Sequence, residues 1–320
     1  MISMNKFKKL ILYDLKTEPL EREFVSKLRK FSDKVKVVFA EKEYSKGLKT
    51  SDLRDADALI IRLFDYYDDS LFEKSKLRYI GAMHTDISHF NQKLLKKLGI
   101  TLTNVPGYAT EAVAELTISA LLNISRKTHD AMNFVKKGNW GFEKFKGWEL
   151  KGNTLGIIGL GKIGSRVAEI AQGLGMNILY YSRTREPELE KKGMKYITLE
   201  ELLKNSDVVS LHCSLSDETE DILNASRLKL MKKGSVLLNS ARSELVDLDS
   251  LYILCKQNKI SAWFEAIEKE SVRAKFRKLD NIYLTPHFGW MTVEAQQRLR
   301  ELMLSNISSF LEGNQQNKIV

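Results

Sequence analysis

Leu155-Gly156-Ile157-Ile158-Gly159-Leu160-Gly161-Lys162-Ile163-Gly164 decides the fold of this 320-residue chain. An apolar run ends in glycines spaced G-x-G-x-x-G, and a helix-like stretch begins at once. Strand, turn and helix therefore arrive in the order a dinucleotide site requires. In such a turn Gly159 permits the bend, Gly161 lets the backbone approach a pyrophosphate, and Gly164 lets helix pack on strand. The first helical residues, Lys162 and Ile163, present N–H groups at the positive end of the helix dipole.

The next apolar segment, Ile178 to Tyr181, leads into Ser182-Arg183-Thr184-Arg185, where an NAD site usually carries an acid for the ribose hydroxyls. No acid stands here. A carboxylate would repel a 2′-phosphate, whereas a hydroxyl and a guanidinium donate to it. The turn favours NADP(H), with NAD(H) the open alternative if the arginines only form a solvated basic turn.

Working outward, the chain reads as two alternating α/β units. Strands are expected at Leu10 to Tyr13, Val35 to Phe39, Ala58 to Ile61 and Tyr79 to Ala82, separated by helical segments such as Glu18 to Phe31 and Asn91 to Leu98. Pro106-Gly107 breaks the chain. Val113, Leu116, Thr117, Ala120, Leu121 and Ile124 then make one face of a long helix leading to a second unit. There, strands near Leu155, Ile178, Val208, Val236, Ile260 and Ile282 alternate with helices, as in a parallel, doubly wound sheet. A last helix, Thr292 to Leu311, is placed to return to the first unit.

Composition sets the outer limits. A hydrophobic content of 43% supports buried cores, and no apolar stretch is long enough for a membrane span or a signal-peptide core. Two cysteines in such a chain do not make a disulfide framework, so a cytoplasmic protein is expected. The net charge of +10 is spread along the chain without a nucleic-acid motif, so solvated surface is expected rather than nucleic-acid binding. Trp140, Phe142, Phe145 and Trp148 read as an arm packed on its own domain or on a second subunit, which suggests a homodimer. His84, Asp86 and His89 match no compact zinc spacing, and no metal is expected.

Three segments leave the carboxyl ends of predicted strands, where an open α/β sheet binds its ligand: Asn239-Ser240-Ala241-Arg242, Glu265 to Glu270, and Pro286-His287-Phe288-Gly289-Trp290. With Val105-Pro106-Gly107-Tyr108, Val113-Ala114-Glu115-Leu116-Thr117, the glycine motif and the Ser182 turn, they make nearly the whole chain resemble the D-isomer-specific 2-hydroxyacid dehydrogenases, closest to the glyoxylate and hydroxypyruvate reductase branch. The resemblance implies two Rossmann-like or flavodoxin-like domains with parallel sheets. A cofactor domain, 104–287, would be inserted into a discontinuous substrate domain, 1–103 with 288–320. The implied activity is reduction of a small 2-oxo acid by NAD(P)H.

The resemblance also implies roles for particular residues. Arg242 would hold the substrate by its carboxylate and carbonyl oxygen, a task suited to a guanidinium fork. His287 would protonate the carbonyl oxygen, and Glu270 would pair with His287 and keep the imidazolium populated. That register leaves one residue fewer than usual after Ile260, so Glu268 competes with Glu270 for the pairing. The register also puts Glu265 where the family has an aspartate near the nicotinamide. Cys213, Ser214 and Thr219, with Ala241 and Gly289, would line the cofactor crevice, although loop capping explains Ser214 and Thr219 nearly as well. Thr85 and Asp86 fall in the loop that grips the substrate. Asp86 replaces a glycine there and Ser243 replaces the glycine after the arginine, departures that bear on the substrate. Some transcriptional co-repressors share this scaffold, so a nucleotide-sensing interaction protein is the rival expectation.

Overall fold

A computed structural model describes residues 6–15, 21–40, 47–62 and 67–320. Residues 18–20 of the first expected helix lie outside them; the described part runs Glu21–Leu28. Two compact units emerge, residues 1–108 with 293–320 and residues 109–292.

The first unit is a five-stranded parallel sheet of β1 (Leu10–Leu15), β2 (Val35–Ala40), β3 (Ala58–Ile61), β4 (Tyr79–Ala82) and β5 (Thr101–Thr103), in the order β2-β1-β3-β4-β5. β3 and β4 are buried along their whole length, which explains why their sequences are continuous apolar runs rather than alternating ones. The helix Val293–Leu311 belongs to this unit: Ala295, Leu299, Met303 and Ile307 are buried, and a Cβ at Gly81 would meet the Met303 sulfur.

The second unit is a seven-stranded parallel sheet of β6 (Thr154–Ile158), β7 (Asn177–Tyr181), β8 (Lys195–Tyr196), β9 (Val208–Leu211), β10 (Ser235–Asn239), β11 (Ile260–Phe264) and β12 (Ile282–Leu284). Their order is β12-β11-β10-β9-β6-β7-β8. The order reverses between β6 and β9, and the crevice outside their carboxyl ends is the ligand position in such sheets. The helix Thr110–Arg126 buries Ala114, Ile118, Leu121 and Ile124 and packs on the helix Lys162–Gly173. The segment beyond it is pinned where the Trp148 N–H donates to the Ser125 carbonyl at 3.0 Å. A Cβ at Gly147 would overlap that same oxygen. Trp140 and Phe142 stand exposed, whereas Trp148 is half-buried.

The unit boundaries fall about five residues later than 103/104 and 287/288, for local reasons. Asn306 donates to the Asn104 carbonyl (2.8 Å) and Arg298 to the Tyr108 carbonyl (2.8 Å), which binds 104–108 to the terminal helix. Gly289 instead lies against Val113 and Leu116 of the second unit.

Candidate active site

The loops after β10, β11 and β12 carry Arg242, Glu265, Glu268 and His287 on one edge of the second unit's sheet. His287 follows Pro286 and has a left-handed backbone, φ 54°. Such a conformation costs a non-glycine residue about 1–3 kcal/mol and persists only where its surroundings enforce it. Its N–H donates to the Glu265 carbonyl at 2.9 Å. The imidazole sits between two carboxylates, with Nε2 3.7 Å from Glu265 Oε2 and Nδ1 3.8 Å from Glu268 Oε1. These are ion-pair separations, longer than hydrogen bonds.

The two carboxylates differ. Glu265 is only 4% exposed and its Oε1 accepts the Gly289 N–H at 2.7 Å. Burial pushes its carboxyl above the usual glutamate range, against the pull of His287 and of the Gly289 and Phe288 N–H groups. Glu268 stands partly in solvent.

The expected partner, Glu270, is corrected. It opens the surface helix Glu270–Phe276, where its carboxylate accepts from Arg273 (2.8 Å) and Arg277 (2.6 Å). The Arg273 hydrogen bond, with Arg277 behind it, holds its carboxyl below the usual range. Once the chain turns into a helix at position 270, arginines on that same helix are its nearest cations. Glu265, one methylene longer than an aspartate, reaches His287 from the end of β11 instead, and its carboxylate is engaged with Gly289 and His287.

Arg242 projects from a braced loop. The Asn239 amide donates to the Arg242 carbonyl (2.8 Å), and the Ala241 N–H donates to the Asn239 side chain (2.9 Å). Beneath it, Ser240 and Ser210 hydroxyls bracket the His212 ring at 3.1 and 2.8 Å, and burial pulls this histidine down to about 3. Neither this bracket nor Glu244, whose Oε1 accepts from Arg242 Nη2 at 2.9 Å, was legible in the sequence. No spacing rule ties them to the motifs.

The glycine turn has the form its spacing requires. Gly159 has φ +95°, and a Cβ there would lie 2.6 Å from the Cys213 nitrogen; a Cβ at Gly164 would overlap the Gly159 carbonyl oxygen. Gly161 faces open space, and no side chain caps the helix that starts at Lys162 and Ile163. An open cradle before an uncapped helix N-terminus fits a pyrophosphate. Cys213 borders this turn as a neutral thiol, pushed up to about 11 by burial.

The rim residues divide. The Ser182 hydroxyl donates to the Thr184 carbonyl, and Arg185 is held by Glu190 (3.0 Å) and stacks 5.3 Å from the Tyr196 ring. Arg183 is exposed and makes no ion pair among the described residues. Thr219 is a loop cap: its hydroxyl donates to the Ser214 carbonyl (2.7 Å) and accepts the Ser216 N–H (2.8 Å). Ser214 itself is exposed.

In the first unit, Thr85 and Asp86 follow β4. The Thr85 carbonyl accepts from Asn104 (2.8 Å), and Asp86 accepts the Ser88 N–H (2.9 Å). Asp86 is not among the residues with positive φ, so this turn does not need the left-handed conformation a glycine would supply. Arg62, of the same unit, donates to Asp14 at 2.7 Å. Among the described residues no group of three histidine, cysteine or acidic side chains is placed to hold a metal ion.

With this geometry in place, comparison with known proteins gives the class. A family profile described as "D-isomer specific 2-hydroxyacid dehydrogenase, NAD binding domain" matches residues 118–289. The chain belongs to the D-isomer-specific 2-hydroxyacid dehydrogenase family and is an NAD(P)-dependent oxidoreductase of that family. Within the family it lies on the glyoxylate reductase branch. It is 37% identical to a glyoxylate reductase of Thermococcus litoralis over 84% of each chain. Among solved structures, a D-lactate dehydrogenase of Aquifex aeolicus complexed with NAD and lactic acid superposes with a TM-score of 0.84 at 30% identity, covering 95% of this chain and 96% of that one. An acyclic imino acid reductase in complex with NADPH and D-Arg gives 0.86 at 29%, covering 98% and 100%. No helix among the described residues is long and apolar enough to cross a membrane.

Proposed function

We propose that this protein reduces a small 2-oxo acid of the glyoxylate or hydroxypyruvate kind to the 2-hydroxy acid, with NADPH preferred over NADH. The observation that carries this reading is the strained His287 held between Glu265 and Glu268 on the same sheet edge as Arg242. When bound, the nicotinamide supplies the hydride. Arg242 holds the substrate carboxylate and carbonyl oxygen through its guanidinium fork. His287 donates a proton to the carbonyl oxygen as negative charge develops there. Glu265 and Glu268 flank the ring and orient it. Gly159, Gly161 and Gly164, with the N–H groups of Lys162 and Ile163, hold the pyrophosphate, and Gly289 keeps Glu265 in place. Arg183 reads the 2′-phosphate, since Arg185 is occupied by Glu190 and the Ser182 hydroxyl donates to the Thr184 carbonyl.

The second unit holds the cofactor, and Thr85 and Asp86 are the substrate-binding candidates of the first. The exposed apolar residues Met132, Val135, Trp140 and Phe142 support a homodimer built on this segment. A cytoplasmic location agrees with two cysteines, both reduced here. Turnover of NADPH and NADH by the purified protein across 2-oxo acids of differing size and charge tests the reading. Oxidation with glyoxylate or hydroxypyruvate, faster with NADPH, is expected. NADPH binding without turnover on any of them would instead point to a nucleotide-sensing protein.

A further inference from the structure

Arg242 carries a carboxylate of its own. Its Nη2 donates to Glu244 Oε1 at 2.9 Å, and the Ser243 hydroxyl donates to Glu244 Oε2 at 3.0 Å, so both oxygens are engaged from one side. Ser243 is buried and stands where the family resemblance places a glycine, so the hydroxyl that steadies Glu244 is a feature of this chain. Burial pushes the Glu244 carboxyl up, but the Arg242 and Ser243 hydrogen bonds outweigh it and the net direction is down. The backbone is fixed as well. Residues Ser243–Leu245 form a 3-10 turn, the Asp221 N–H donates to the Glu244 carbonyl (3.0 Å), and the Leu223 N–H donates to the Leu245 carbonyl (3.0 Å).

A guanidinium has five N–H donors in one plane. A carboxylate fixed at Nη2 constrains that plane, and a substrate then meets an arginine whose orientation is already decided. We infer that Glu244, steadied by Ser243, is a positioning residue that fixes the guanidinium plane of Arg242 for the substrate carboxylate. Glu244 touches neither substrate nor cofactor and acts only through Arg242. This inference rests on the reductase reading for its kinetic consequences, but not for its effect on binding.

The test compares wild type with Glu244→Gln, Glu244→Ala and Ser243→Gly. Two readouts are taken: kcat and KM for glyoxylate with NADPH, and the affinity of the NADPH complex for oxalate, a compact dianion that needs no turnover. Glutamine keeps an oxygen that accepts from Arg242, so Glu244→Gln is expected to stay within about threefold of wild type, while Glu244→Ala loses about tenfold, mostly in kcat, and weakens oxalate to a similar degree. Ser243→Gly should fall between them, and NADPH affinity should be unchanged in all three. A Glu244→Ala variant equal to wild type in both readouts overturns the inference. So does one with lowered KM and intact kcat, because Glu244 would then compete with substrate for Arg242 rather than orient it. If wild type binds oxalate in this Glu244-dependent way but reduces no 2-oxo acid, the reductase reading fails and the positioning role stands. Failure of wild type to bind oxalate overturns the positioning role.

Discussion

Replacing Glu265 by glutamine tests the reassigned partner of His287. The substitution keeps size and an oxygen for the Gly289 N–H, but removes a charge 3.7 Å from His287 Nε2. Two unit charges at that separation attract by about 4 kcal/mol at an effective dielectric of about 20. The His287 side chain is half exposed, so solvent screening reduces the working value to about 1 kcal/mol, roughly a fivefold change in an equilibrium. Glyoxylate reduction by Glu265→Gln should therefore fall by about fivefold in kcat, with NADPH affinity kept. Glu270→Gln should leave the rate where it is, because that carboxylate is spent on Arg273 and Arg277. An unchanged rate in Glu265→Gln with a lowered one in Glu270→Gln would refute the reassignment. Stability gives a second reading. Burial holds the Glu265 carboxyl above its ordinary value. A carboxyl raised in the folded state contributes most below the ordinary glutamate range, and that contribution is lost as pH rises through the folded value. Glutamine does not titrate, so the variant's melting temperature relative to wild type should be higher at pH 8 than at pH 4.

Other outcomes follow from the same geometry. Ser182→Asp places a carboxylate on the rim beside Arg183 and should shift the ratio of kcat/KM values from NADPH towards NADH by about tenfold or more; an unchanged ratio would mean that this turn does not read the 2′-phosphate. His212, buried between Ser210 and Ser240, is pulled down to about 3, so wild-type stability should fall as pH drops below the ordinary histidine value of 6.5, by up to about 1.4 kcal/mol per pH unit. His212→Asn, followed by urea unfolding between pH 7 and pH 4.5, should show a shallower fall, and parallel slopes would contradict the buried neutral ring.

The fold was legible wherever periodicity and punctuation agreed. β3 and β4 are short, fully buried apolar runs and were bounded correctly from sequence, and the glycine motif sat on the expected strand, turn and helix. β5 and β8 escaped because Thr101–Thr103 and Lys195–Tyr196 are too short and polar to carry a pattern. At the candidate site, residues fixed by a strand end were readable: Arg242 after β10 and His287 after β12. The carboxylate partners were only partly readable: Glu268, the competing candidate, does flank the ring, but residues 265–270 form a loop and helix start whose register changes with a single gap. Three glutamates lie within those six positions, and only packing decides which of them face the imidazole. Glu265 is buried against Gly289, whereas Glu270 turns outward to Arg273 and Arg277. Glu244 was invisible for a related reason: its meaning depends on a contact with Arg242 two residues away, and the same letters in an open turn would be ordinary solvated surface.

The most direct measurement is turnover of glyoxylate and hydroxypyruvate by His287→Ala, taken with a titration of NADPH binding on the same sample. Removal of a positioned general acid should lower kcat by about 10²–10⁴ while NADPH affinity stays close to wild type, since the glycine turn and the Ser182 rim are untouched. A variant that binds NADPH and turns over at the wild-type rate would contradict the assignment of proton transfer to His287.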